Sequence, residues 1–416
     1  MRIAMISYHT CPLASIEGKE TGGMNIYVLE LSRALAKKGH TVDVYTRSHE
    51  TDDALIMRPA PNFRVMHLPA GPQSPLSKRY IRRYIPAFAK EYEAFVKSQK
   101  IRYDVIHAHY YQSGSAAQKI MKGQRTAFVM SFHTLALMKN LVARDTRERE
   151  SQLRIDAEFR LMRAADTVIA SSESDKQYLQ YLYDVPDGKI NIILPGIDPS
   201  LFHPMNKHVA RRHIHADKEH KIVLFVGRVE PLKGIDTILY AMKIIKKRNP
   251  KQIVCLWIVG GDVSERANWP KTLQELKRLR KTLGFPASCV HFVGQKPQKE
   301  LPYYYSAADV VVMPSHYESF GLAALEAMAC GTPVITTNVA GISGTIDRTY
   351  QSLVTTVNNP LLLASQMQKM LTGSVLTRNF VKEAKKRASE LTWDRTADRM
   401  LEVYHTLGGL IPENSV

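Results

Sequence analysis

The chain has 416 residues, long for a single hydrophobic core, and this length predicts two domains. Hydrophobic residues at 44% and charged residues at 23% describe a soluble globular chain, and no apolar run reaches the ~18 residues of a membrane span. A net charge of +18 suits phosphorylated ligands or an anionic membrane, whereas the lack of a basic tail or of an aromatic-basic single-strand signature argues against nucleic acid.

The opening MRIAMISYH enters a strand pattern at once, so no signal peptide is expected. Cys11, Cys255, Cys289 and Cys330 lie far apart without metal-like or redox-like spacing, as reduced packing residues of a cytoplasmic protein would. Strand-like runs follow at 2–7, 41–46, 63–68, 104–109, 127–133, 167–172 and 191–196. Between the first two, GGMNIYVLELSRALAKKG reads as an amphipathic helix stopped by Gly39. The alternation resumes at 221–227, 253–260, 289–294, 310–315, 333–338 and 352–356, and helices run to the end of the chain. Strands of continuous hydrophobicity are buried on both faces, so the pattern predicts two doubly wound parallel sheets facing each other across a cleft. The polar, proline-interrupted segment 195–221 divides them; its five histidines match no metal spacing and read as a solvated linker. We place the domains at 1–197 and 198–390, with a terminal helix over 391–416.

In such sheets ligands bind at the carboxyl ends of strands, so motifs are sought there. After the first strand, Gly22 and Gly23 open a helix whose N-terminus suits an anion, and no GxGxxG dinucleotide fingerprint accompanies them. After 221–227 comes GRVEPLKGID, where Arg228 and Lys233 can clamp a diphosphate. After 310–315 comes HYESFGLAALEAMACGTPVI (316–335), with Glu318 at a helix mouth near Ser319, Phe320 and Gly321. Glu326 lies further along that helix, in a run too apolar for an ordinary solvated glutamate. One carboxylate can accept from ribose hydroxyls and the other from hexose hydroxyls, with a diphosphate between. Alone, each feature would pass for surface charge or a helix cap; together they fit a nucleotide sugar.

ESFGLAALE followed by EAMACGTPVI resembles the signature of retaining glycosyltransferases of family four, and GGMN, PGID, GRVEPLKGID and TWDRTADRMLEVY extend the resemblance over nearly the whole chain. The resemblance implies the GT-B fold, two Rossmann-like domains with the last helix crossing back to the first. It implies donor contacts from Arg228, Lys233, Glu318, Ser319, Phe320, Gly321, Leu322 and Glu326, from Gly23 in the first domain, and from Gln295 and Lys296 beside the base. His133 matches the histidine that contacts the transferred sugar. It further implies a metal-independent, same-face transfer without a resident cofactor, the donor being a nucleotide sugar, most naturally UDP-linked. The segment VAGISGTIDRTYQSLVTT departs from the family pattern, which leaves the donor sugar, glucose or N-acetylglucosamine, undecided.

HTCPL, GGMN and FHTLALMKN are similar to the inositol-phosphate glycosyltransferases of mycothiol synthesis, and sucrose-phosphate synthases share the framework. By that likeness Lys78, Tyr110, Thr134 and Arg154 would hold an acceptor phosphate, with His9 and Asn25 near its hydroxyls. A small phosphorylated acceptor such as inositol phosphate or fructose 6-phosphate is therefore expected. Two alternatives stay open: a membrane-associated glycolipid transferase, suggested by Lys78, Arg79, Arg82, Arg83 and Lys90 interleaved with Tyr80, Tyr84 and Phe88, and a sugar-nucleotide epimerase.

Overall fold

The computed structural model describes residues 1–14, 22–51, 53–74, 76–122, 126–263, 270–338, 341–345 and 355–408, without the side chains of Lys78 and Leu376. The expected strand at 352–356 and the divergent positions Arg348 and Tyr350 therefore lie wholly or mostly outside the described residues; Thr355 alone bridges Thr337. The described chain forms two compact units. Residues before 195 and the helix Trp393–Gly408 make the first, and 195–392 make the second.

The first unit is built on β1 (Arg2–Ile6), β2 (Thr41–Arg47), β3 (Ile56–Ala60), β4 (Phe63–Leu68), β5 (Val105–His109), β6 (Ala127–Ser131), β7 (Thr167–Ala170) and β8 (Ile190–Ile192). Their order is β3-β4-β2-β1-β5-β6-β7-β8, all parallel except β3 against β4. The sequence pattern misses β3 because its IMRPA carries a proline and is largely exposed, which only an edge strand tolerates. The central strands are buried end to end, as parallel strands covered by helices must be.

Helix Trp393–Gly408 turns Trp393, Thr396, Ala397, Met400 and Tyr404 inward, a helical stripe with its polar face left to water. It joins the first unit through specific bonds. Tyr404 Oη lies 2.7 Å from His107 Nδ1, Thr396 donates to the Leu194 carbonyl, and Lys38 pairs with Asp394 and Asp398.

The second unit carries β9 (Lys221–Val226), β10 (Val254–Val259), β11 (Val290–Gly294), β12 (Val310–Met313) and β13 (Val334–Thr336), parallel in the order β11-β10-β9-β12-β13. Part of the segment read as a solvated linker is instead the helix Lys207–His213. Asn206 caps it by accepting from His208 and Val209, and buried Arg211 pairs with Asp309 at 2.8 Å. His213 lies 2.7 Å from Glu300 and stacks on Tyr303, so polar side chains there serve packing. Among the described residues no cluster of His, Cys, Asp or Glu has the makings of a metal site, all four cysteines are free thiols, and no helix is long and apolar enough to cross a membrane.

Candidate active site

In the second unit the loops after β9 and β12 clasp each other, because those strands are hydrogen-bonded neighbours. The His316 amide donates to the Leu232 carbonyl at 2.8 Å. Gly234 has φ 64°, and a Cβ there would stand 2.3 Å from the Pro314 carbonyl oxygen, so only glycine lets the backbones approach. This clasp brings Lys233 onto Glu318 as a direct ion pair, both side chains mostly buried. Arg228 is more exposed and pairs with Glu230 at 2.8 Å.

The helix after β12 spans Leu322–Ala329, three residues later than the sequence suggests. Its N-cap is Gly321, at φ 106°, and Ser319 instead lies 3.1 Å from the Tyr317 hydroxyl. The Phe320 carbonyl accepts from Ile342, which fixes the turn ahead of the helix. Glu326 is buried, and the Tyr305 hydroxyl donates to its Oε2 at 2.5 Å. Burial pushes the Glu326 carboxyl up to about 7, with the Tyr305 bond pulling it partly back. Gln295 and Lys296 follow β11 half-buried, and Gln295 Oε1 is enclosed without a hydrogen-bond partner.

In the first unit, β5 and β6 pair with His109 opposite Ser131, so the residues leaving both strands emerge side by side. Tyr110 and His133 both take positive φ, 79° and 61°, which turns the chain sharply at each strand end. His133 Nε2 is 3.0 Å from His109 Nδ1, and Tyr27 packs edge-on against His133. Burial holds His133 down at about 3, hence neutral near pH 7.

Arg154, on helix Gln152–Ala164, is 1% exposed and reaches back to this corner. Its Nη2 donates to the Thr134 carbonyl at 2.8 Å and to Thr134 Oγ1 at 3.2 Å. Its Nε donates to Glu158 at 2.7 Å, and the rings of Tyr110 and Tyr111 lie 4.8 and 5.3 Å from the guanidinium. The structure thus gathers Tyr110, Thr134 and Arg154 from three segments; Lys78 heads the short helix Lys78–Ile81, and its side chain lies outside the described residues. His9 packs against Tyr110 with the rings tilted and their centroids 4.6 Å apart. Asn25, in the helix that begins at Gly23, donates to Thr10 Oγ1 and to the Cys11 carbonyl, tying helix to loop.

Sequence reasoning passed over the residues that orient these groups. Glu150 and Glu158 flank Arg154 at four residues on either side, a spacing legible in RERESQLRIDAE. Tyr305, which holds Glu326, and His109, which holds His133, carried no comparable signal.

Two doubly wound parallel sheets with sugar-nucleotide chemistry at the strand ends define the GT-B class of glycosyltransferases. The family model "Glycosyltransferase Family 4" matches residues 21–201, and "Glycosyl transferases group 1" matches 206–387. The chain is 33% identical to D-inositol 3-phosphate glycosyltransferase of Nocardiopsis dassonvillei over 406 residues, covering 97% of this chain and 94% of that protein. The enzyme of the same name from Corynebacterium glutamicum is also 33% identical, over 97% of this chain and 96% of that one. Sucrose-phosphate synthase from Thermosynechococcus elongatus superposes with a TM-score of 0.89 at 31% identity, over 99% of this chain and 100% of that one. The chain belongs to glycosyltransferase family 4.

Proposed function

We propose that this glycosyltransferase moves glucose or N-acetylglucosamine from a UDP-linked donor to a hydroxyl of a small phosphorylated acceptor, inositol phosphate or fructose 6-phosphate. The observation that carries the reading is Arg154, a buried guanidinium placed with Tyr110 and Thr134 at the ends of β5 and β6. A fully buried arginine in a corner of hydroxyl groups suits a phosphate far better than a neutral sugar. The names of the three relatives given above, D-inositol 3-phosphate glycosyltransferase twice and sucrose-phosphate synthase, support the same class.

In this reading Arg228, Lys233 and the amides of Ser319, Phe320, Gly321 and Leu322 meet the charge that grows on the departing diphosphate, so the transfer needs no metal and no resident cofactor. Glu326 accepts from the ribose, Gln295 and Lys296 lie by the base, Glu318 accepts from the sugar, and Gly23 gives the phosphates close backbone approach. Neutral His133 touches the transferred sugar, while His9 and Asn25 serve the acceptor hydroxyls. The acceptor attacks on the face that the diphosphate leaves, and a phosphate oxygen takes its proton, which retains the anomeric configuration.

A panel of UDP-glucose and UDP-N-acetylglucosamine against inositol phosphate, fructose 6-phosphate and their dephosphorylated forms, run in EDTA, tests this. The expected product is an α-linked phosphorylated disaccharide or glycosyl-polyol, read from its anomeric proton. An inverted product, a need for divalent cation, or no preference for the phosphate would each refute the matching part. Exposed Arg79, Tyr80, Arg82 and Arg83 support a second reading, contact with an anionic membrane. Salt-sensitive flotation with phosphatidylserine vesicles is its expected signature, and absence of flotation at low salt rejects it.

A further inference from the structure

The guanidinium of Arg154 is held unequally on its three sides. Nε and Nη2 make directed bonds to Glu158 and Thr134. Nη1 lies 2.8 Å from Glu150 Oε1, yet it is enclosed and makes no directed hydrogen bond. One edge of a 1% exposed arginine is therefore neutralised by charge alone.

The two carboxylates differ in the same sense. Glu158 is fully buried, and it also accepts from the Ala136 amide at 2.9 Å and from the Tyr183 hydroxyl at 2.5 Å. Turning it away would strand three donors. Glu150 is 23% exposed at its side chain, stands in the turn ahead of helix Gln152–Ala164, and has Lys139 as its other ionic partner. Its backbone amide is fixed by Asn140 Oδ1 at 2.6 Å, so the side chain can swing without moving the turn.

We propose that Glu150 occupies the edge of Arg154 that the acceptor's phosphate takes, so that acceptor binding exchanges one anion for the other. This rests on the phosphate-subsite reading above. Arg154 and Lys139 against Glu150 and Glu158 make a balanced set, which spares the empty site an uncompensated buried cation. With Glu150 turned to water, two cations face one carboxylate, and the unmatched positive charge is met by the acceptor's phosphate. A neutral hydroxyl compound supplies no replacement charge. Glu150 is thus a specificity-determining residue: it sets a threshold that a phosphate passes and an uncharged acceptor does not.

The test is calorimetric titration of the full chain with inorganic phosphate, which needs no turnover, beside the KM of each phosphorylated acceptor. Glu150→Gln keeps the shape and the backbone bond but removes the competing charge. It is expected to bind phosphate roughly tenfold more tightly, with a lower acceptor KM. Unchanged or weaker phosphate binding by Glu150→Gln overturns the exchange. Arg154→Lys and Arg154→Met, each checked for an intact melting transition, separate the two layers. If they lose phosphate while Glu150→Gln gains none, the exchange alone fails; if either folded variant binds phosphate as tightly as the natural chain, the subsite itself falls and the exchange with it.

Discussion

The Tyr305 hydroxyl donates a 2.5 Å hydrogen bond to Glu326 Oε2, and both side chains are buried in the second unit. The bond leaves Glu326 Oε1 as the oxygen open to another donor, and it fixes the plane in which that oxygen points. A carboxylate chosen to accept from ribose would need such a holder, because a buried glutamate otherwise turns toward whichever polar group is nearest.

The same burial makes Glu326 a source of pH dependence. Its pKa is raised from its ordinary value to about 7, so the folded chain holds a proton that the unfolded chain releases near 4.5. Stability from this group is complete below 4.5 and is lost as pH climbs toward 7, about 3 kcal/mol in all. Glu326→Gln should be more stable than the natural chain at pH 8 and similar to it near pH 4.5, read from denaturant midpoints. UDP affinity in the natural chain should rise between pH 6 and 8 more steeply than in Glu326→Gln. Parallel curves for the two proteins would remove Glu326 from the nucleotide site.

His107 gives the opposite slope. It is fully buried between Tyr404 Oη at 2.7 Å and Ser131 Oγ at 2.8 Å, and desolvation, aided by His133, lowers it to about 3. His109, equally buried, is lowered as well, first by desolvation and then by His107 and His133. Between pH 6.5 and 3 the unfolded chain binds protons that the folded chain refuses. Stability is therefore complete above 6.5 and falls as the solution is acidified, about 1.4 kcal/mol per pH unit for each such histidine once below 6. Tyr404→Phe should cost about 1–3 kcal/mol at pH 7.5, since His107 Nδ1 loses its partner inside the fold. A midpoint that is flat from pH 7 to 5 in the Glu326→Gln background, where the opposing carboxyl is gone, would mean these rings are protonated in place.

The reach of the sequence can be judged at these same residues. Parallel strands were legible because burial on both faces leaves an unbroken apolar run; among the described strands the antiparallel edge β3, with Pro59 and no buried residue, escaped. The motifs proposed to hold the donor were legible as strand-end motifs because each follows a strand closely. VIHAH shows His107 and His109 two residues apart, hence on one face of a strand, but the sequence holds no sign that this face meets Tyr404 nearly three hundred residues away. Arg154 was singled out by the family likeness alone and not by its own pattern. Arg149, Arg154 and Arg160 look alike on a helical pattern, and only tertiary packing turns one of them inward.

Lys233 tests catalysis apart from folding. Its ion pair with Glu318 is mostly buried, yet it hangs on a clasp made by backbone. Lys233→Ala should lower kcat on the order of a hundredfold, because a cation placed where charge grows on the leaving group acts mainly in the transition state. The melting temperature should move by only a few degrees. Unchanged kcat with a large fall in melting temperature would make Lys233 a structural residue.

Gly234 tests the clasp itself, with Gly373 as its control. Both take φ 64°, so alanine at either position suffers the same left-handed strain, about 1–2 kcal/mol. At Gly373 a new Cβ meets nothing within 4 Å. At Gly234 it meets the Pro314 carbonyl oxygen at 2.3 Å, a backbone atom that no rotamer change can move aside. Gly373→Ala should therefore measure the strain, and Gly234→Ala the strain plus a forced separation of the loops that carry Lys233 and Glu318. The expected result is a clearly larger loss of stability in Gly234→Ala, with donor KM raised in that variant only. Equal losses of stability and an unaltered donor KM in both would show that the two loops hold their positions without the close approach.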